Sequence, residues 1–171
     1  MSAGTFKTFA YGSNMQTARV RKRCPSATPK GVAELRSYEL HWHKQSQDGS
    51  GKCAIVRTYN PENRVLGVLY EIVNGEKQAL DKAEGLGQGY EEIDVLVVCN
   101  GREIAAKAYR ALNVSPMLKP YTWYHAFVVA GAKEHGLPTD YIAQIEQVAC
   151  DEDSDRERHQ KNVRMLEGVR A

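Results

Sequence analysis

The chain has 171 residues, 42% of them hydrophobic, which suits one domain with an ordinary core. Its 23 basic and 21 acidic residues leave a net charge of +2, too little to gather nucleic acid or an anionic membrane surface. Four dispersed cysteines without a C-x-x-C pair argue against a disulfide framework or a zinc site, and with no apolar leader or membrane span they predict reduced thiols in a cytoplasmic protein.

Thr5 to Tyr11 alternates as a strand does. Helix-compatible sequence then runs to Cys24 and stops at Pro25. Val32 to His43 reads as one extended run, with Tyr38, Leu40 and Trp42 at period two. After the polar loop at 45–51, Cys53 to Thr58 and Val65 to Val73 form two further β-rich runs. The turn chemistry of Asn60-Pro61-Glu62-Asn63 joins them. Asn74 offers a helix N-cap, and GEKQALDKAE leads to Gly85 in a C-cap position. Asn100-Gly101, between VLVVC and REIAAKAY, predicts a type I′ hairpin. Tyr121 to His135 reads as a mostly apolar helix closed by Gly136, and Pro138-Thr139 opens another. The fold class is therefore α+β, with a sheet that curls into a small barrel flanked by helices. Residues 1–150 form a single domain, and 151–171 form a charged, partly helical, well-solvated tail.

Several motifs fail on context. GLGQG (85–89) follows a helix and precedes a strand, the reverse of a dinucleotide fingerprint. Gly12-Ser13-Asn14 lacks the Gly-Lys-Ser/Thr ending of a phosphate loop. Ser13 lacks the second glycine of G-x-S-x-G and any partner placed by the sequence. His41 and His43 share a strand face, but a metal site needs a third protein ligand.

Glu84 is more informative. It ends the helix before Gly85, where the macrodipole disfavours an acid by about 0.3–1 kcal/mol. Leu80, four residues earlier, puts it at the border of the apolar face. Burial and the helix end both raise a carboxyl pKa, and a raised carboxyl suits proton transfer near neutral pH. A surface acid paired with Lys77 or Lys82 is the alternative reading.

Three ordered stretches, FAYGSN (9–14), LDKAEG (80–85) and YHAFVVAGAKEHGLPTDY (124–141), resemble the γ-glutamylcyclotransferases from about Phe6 to Tyr141. The resemblance implies a cytosolic, cofactor-independent enzyme of small mixed barrel fold. It would act on a small-molecule γ-glutamyl substrate, with no metal, nucleic acid or membrane, and would form a homodimer. Members convert a γ-glutamyl dipeptide or amine into 5-oxoproline and the free amino acid or amine. By position, Glu84 matches the family's acid/base glutamate. Phe9 and Ala10 lead into Tyr11, Gly12, Ser13 and Asn14, which match the substrate loop. Tyr124 and, less closely, Tyr90 match substrate-contacting tyrosines. Ala83 departs from the glutamine common beside the glutamate, and the loop from Gly85 to Tyr90 is about one residue short. Glutathione, a γ-glutamyl-protected metabolite and a non-catalytic role in binding a small acid stay open as alternatives.

Overall fold

The computed structural model describes residues 3–170. Strands β1 (Thr5–Ala10), β2 (Thr28–Arg36), β5 (Arg64–Val73), β6 (Tyr90–Cys99) and β7 (Arg102–Ala111) close into a barrel of order β1-β5-β2-β6-β7. Most neighbours are antiparallel. The closing seam is parallel and sets Thr8 of β1 opposite Lys107 of β7. Residues on both faces of the strands, among them Phe9, Leu69, Tyr70, Ile72, Val97 and Ala108, are buried. Each large apolar side chain among them contributes roughly 1.5–3 kcal/mol by leaving water.

The long extended run is two strands rather than one. Ser37 adopts φ 64, a left-handed conformation uncommon for a non-glycine residue, and the apolar alternation changes phase there, from Ala33 and Leu35 to Tyr38, Leu40 and Trp42. Its N–H donates to Asn63 at 2.8 Å, and its carbonyl accepts from the Thr58 N–H at 2.7 Å. Past this break, β3 (Tyr38–Gln45) leaves the barrel and pairs with β4 (Gly51–Arg57) in a separate two-stranded sheet. The strands β4 and β5, consecutive in sequence, thus lie in different sheets.

Other local signals act as expected. Asn100 and Gly101 have φ 53 and 75 and join β6 to β7 with Cys99 opposite Arg102, the geometry of a type I′ turn. Helix α2 (Lys77–Glu84) ends at Gly85, φ 66, and the Leu86 N–H reaches the Asp81 carbonyl at 2.9 Å. This is a Schellman closure, which only a residue at ease in the left-handed region supplies cheaply. Asn74 departs from expectation. It opens a 3-10 turn (Asn74–Glu76), and neither that turn nor α2 has a side-chain cap.

The basic stretch after β1 is less helical than its composition suggests. A 3-10 turn (Ser13–Met15) is followed by extended Gln16 and a five-residue helix, α1 (Thr17–Arg21). Packing explains the interruption. Helix α3 (Thr122–Glu134) lies against this turn, and a Cβ at Gly131 would stand 2.7 Å from the Gln16 backbone nitrogen. Helix α4 (Thr139–Glu146) follows Pro138, and Gly136, at φ 69, separates it from α3.

The charged C-terminal segment is anchored rather than simply solvated. It carries α5 (Arg156–Arg170), whose Leu166 is buried. The Asp153 side chain is 0% exposed. It accepts from Trp123 Nε1 at 2.9 Å and from the Arg158 guanidinium. These bonds, Arg158 first, hold its carboxyl well below the usual carboxylate range. Because the folded pKa is depressed, this contribution is present above the unfolded pKa and is lost as pH falls from there toward the folded one. Asp153→Asn should therefore lower the thermal midpoint at pH 7, and the gap to the parent should narrow in melts taken below about pH 4. A gap that does not change with pH would refute the ionic account.

Candidate active site

The cavity sits where the end of β1 meets the end of α2. Beyond Phe9 and Ala10, Tyr11 donates its hydroxyl to the Tyr109 carbonyl on β7. A Cβ at Gly12 would stand 3.1 Å from both the Cys53 Cβ and the Tyr124 hydroxyl. Glycine here keeps the backbone at the cavity wall. The Met15 N–H donates to the Gly12 carbonyl at 3.1 Å and closes the turn. The N–H groups of Gly12, Ser13 and Asn14 donate to no group among the described residues, which leaves them available to a ligand oxygen.

Glu84 enters from the last residue of α2. Its Oε1 accepts from Asn14 Nδ2, while Asn14 Oδ1 accepts from Arg23 Nη1 at 2.6 Å. Arg23 Nη1 itself lies 4.0 Å from Glu84 Oε1. The Glu84 side chain is 18% exposed. Desolvation raises its pKa against the opposing pull of Arg23, Asn14, Arg19 and Lys44. Lys77, considered from the sequence as a partner, pairs instead with Asp81 and Glu92.

Tyrosines and Cys53 form the opposite wall. The Cys53 N–H donates to the Tyr124 hydroxyl at 3.1 Å, so that hydroxyl keeps its own proton to give. Tyr90 spends its proton on the Cys53 carbonyl at 2.9 Å and faces the cavity as an acceptor. Burial pushes the Cys53 thiol up to about 12, so no thiolate nucleophile stands here. The Ser13 hydroxyl accepts from Arg19 Nε at 3.1 Å. No histidine lines the cavity among the described residues, and the partner of the Ser13 hydroxyl is a guanidinium, which cannot take its proton.

All nine sequence-predicted site residues, Phe9, Ala10, Tyr11, Gly12, Ser13, Asn14, Glu84, Tyr90 and Tyr124, line this one cavity of about 60 Å³. It opens into a mouth of about 220 Å³ that holds four cations: Arg19, Arg23, Lys44 and Lys52. An inner space this size takes a small acyl group and excludes a dinucleotide, since pockets for larger ligands run to about 300–1,000 Å³. Burial brings Arg19 down to about 10 and Lys52 to about 8. Sequence reading missed these four, and Tyr109 with them. Arg19 and Arg23, four apart beside the turn, had a legible spacing. The lysines meet only through the pairing of β3 with β4. His41 and His43 stack at 4.7 Å, but no cluster of three metal-ligating side chains exists among the described residues.

Comparison with known proteins places this fold in a class. A model of the AIG2-like family matches residues 64–145. The γ-glutamylcyclotransferases of Bos taurus and Homo sapiens are each 33% identical over 150 residues, covering 84% of this chain and 79% of theirs. A solved γ-glutamyl cyclotransferase structure superposes with a TM-score of 0.85 at 28% identity, covering 96% of this chain and 99% of that one. The barrel described above is thus the fold of an enzyme class. The chain belongs to the γ-glutamylcyclotransferase family.

Proposed function

We propose that this chain converts a γ-glutamyl amino acid into 5-oxoproline and the free amino acid, with Glu84 as the general acid and base. The observation that carries the reading is the shielded Glu84 carboxylate facing the unpaired N–H groups of the Gly12 turn across a small cavity. The substrate's α-nitrogen attacks its own γ-carbonyl. One C–N bond forms, another breaks and, counted from the neutral α-amine, one proton passes from the attacking nitrogen to the departing one; the proton an α-ammonium must lose beforehand ends on the released amine. No water is consumed. Ring closure already benefits from proximity, since effective molarities of intramolecular reactions reach about 10⁵–10⁸ M. What remains for the protein is proton traffic and charge. An α-ammonium cannot attack, and an amide nitrogen leaves poorly without a proton. Glu84 takes the proton first and returns it second. The N–H groups of Gly12, Ser13 and Asn14, with Arg19 beside Ser13, receive the glutamyl α-carboxylate or the developing oxyanion. The Tyr124 hydroxyl donates from the opposite wall.

Incubation with γ-glutamyl-alanine should yield 5-oxoproline and alanine in equal amounts without added metal or cofactor. A free glutamate product instead would mean hydrolysis and would overturn cyclisation.

A further inference from the structure

The geometry points to Lys44 as the residue that selects the departing half of the substrate by binding its free carboxylate, an assignment that rests on the cyclotransferase reading above. β3 and β4 pair so that Lys44 stands directly opposite Lys52. Like charges in that position are destabilising. A β-bulge between His41 and Lys44 sets this register, and bulges commonly re-aim side chains beside active sites. Lys52 is compensated by Asp48 at 3.3 Å. Lys44 has no carboxylate within ion-pair distance among the described residues and rests 4.8 Å from the Tyr90 ring centroid. Burial lowers its pKa, and the more distant charges of Glu84 and Asp48 offset that only in part.

Of the four cations at the mouth, Arg23 is engaged by Asn14 and Glu84, and Lys52 by Asp48. Arg19 and Lys44 are left without a carboxylate among the described residues. A γ-glutamyl amino acid brings two carboxylates. Arg19, on α1, donates to Ser13 of the turn assigned to the glutamyl side. Lys44 lies against the loop after α2, where a Cβ at Gly89 would come 2.9 Å from its Nζ. It also borders a polar groove of about 530 Å³ that shares Ser46, Ala83 and Glu84 with the mouth and continues past Gln88 to Asn113. The departing amino acid, with its carboxylate on Lys44, has this groove as its way out.

The test compares γ-glutamyl-alanine with γ-glutamyl-ethylamide, which differ only by that carboxylate. In the parent protein kcat/KM should favour the alanine substrate. In Lys44→Gln the ratio of the two kcat/KM values should fall about 10- to 100-fold, the range set by a hydrogen bond to a charged group. The loss should appear in KM for γ-glutamyl-alanine, and Lys44→Arg should restore much of the ratio. If both substrates weaken together and the ratio holds, Lys44 is only structural and the assignment is wrong while cyclisation stands. If the parent forms 5-oxoproline from neither substrate, the cyclotransferase reading falls and takes the assignment with it.

Discussion

Glu84→Gln is expected to reduce 5-oxoproline formation by at least about 10²- to 10⁴-fold, the usual share of a positioned acid/base group, without destabilising the fold. The two halves of this expectation have separate origins. Glutamine keeps the shape and can still accept from Asn14 Nδ2, but it neither takes nor returns a proton. Stability follows from linkage. Burial raises the folded pKa of Glu84 above its unfolded value. The ionised carboxylate therefore costs stability above the folded pKa, and this cost is absent below the unfolded one. An amide escapes it, so the melting temperature at pH 7 should stay level or rise. Turnover of the parent should fall as pH drops through the raised Glu84 titration. A Glu84→Gln variant with near-parental turnover would remove Glu84 from the chemistry; one that is inactive because unfolded would contradict the burial argument.

Gly131→Ala should destabilise the protein although alanine is the better helix former. In an open helix the exchange would gain about 0.5–1 kcal/mol. Here the added Cβ meets the Gln16 nitrogen at 2.7 Å, the Met15 Cβ at 2.8 Å and the Met15 carbonyl carbon at 3.0 Å. Two of these three are backbone atoms and cannot rotate away. Overpacking of this kind costs typically 1–3 kcal/mol, so the clash wins. The displaced segment is the turn holding Ser13 and Asn14, so KM for a γ-glutamyl substrate should also rise. Urea unfolding with a midpoint at or above the parent's would show that the helix and turn can separate freely.

Glu84 and Gly131 also mark the two sides of what could be read from sequence, the first legible and the second not. Glu84 and the Gly12 turn were legible because their signals are local: an acid at a helix C-terminus before glycine, and small residues ending a strand. The Asn100-Gly101 hairpin and the Gly85 closure were legible for the same reason, since a left-handed backbone selects its residues. The split at Ser37 was not read, because a serine in that conformation carries no compositional mark; the trace it leaves is a change of phase, with apolar residues at odd positions before it (Ala33, Leu35) and at even ones after it (Tyr38, Leu40, Trp42). Lys44 and Lys52 were invisible as a pair. Nothing along the chain announces a register, and only the folding of β3 onto β4 makes two ordinary lysines face one another. The shortening of α1 is likewise a tertiary effect, imposed by α3 from more than a hundred residues away.

The parallel seam between β1 and β7 bears on how the cavity comes into being. A hairpin can form from neighbouring residues, but this closure joins Thr8 to Lys107, and contacts so distant in sequence are slow to find. The cavity stands on the seam itself, between Tyr11 and Tyr109. Tyr124 completes its wall from still later in the chain. During synthesis the Gly12 turn emerges early and must wait, with its N–H groups facing solvent, until β7 and α3 arrive. The pocket is thus among the last features to exist, and its activity would report a closed barrel.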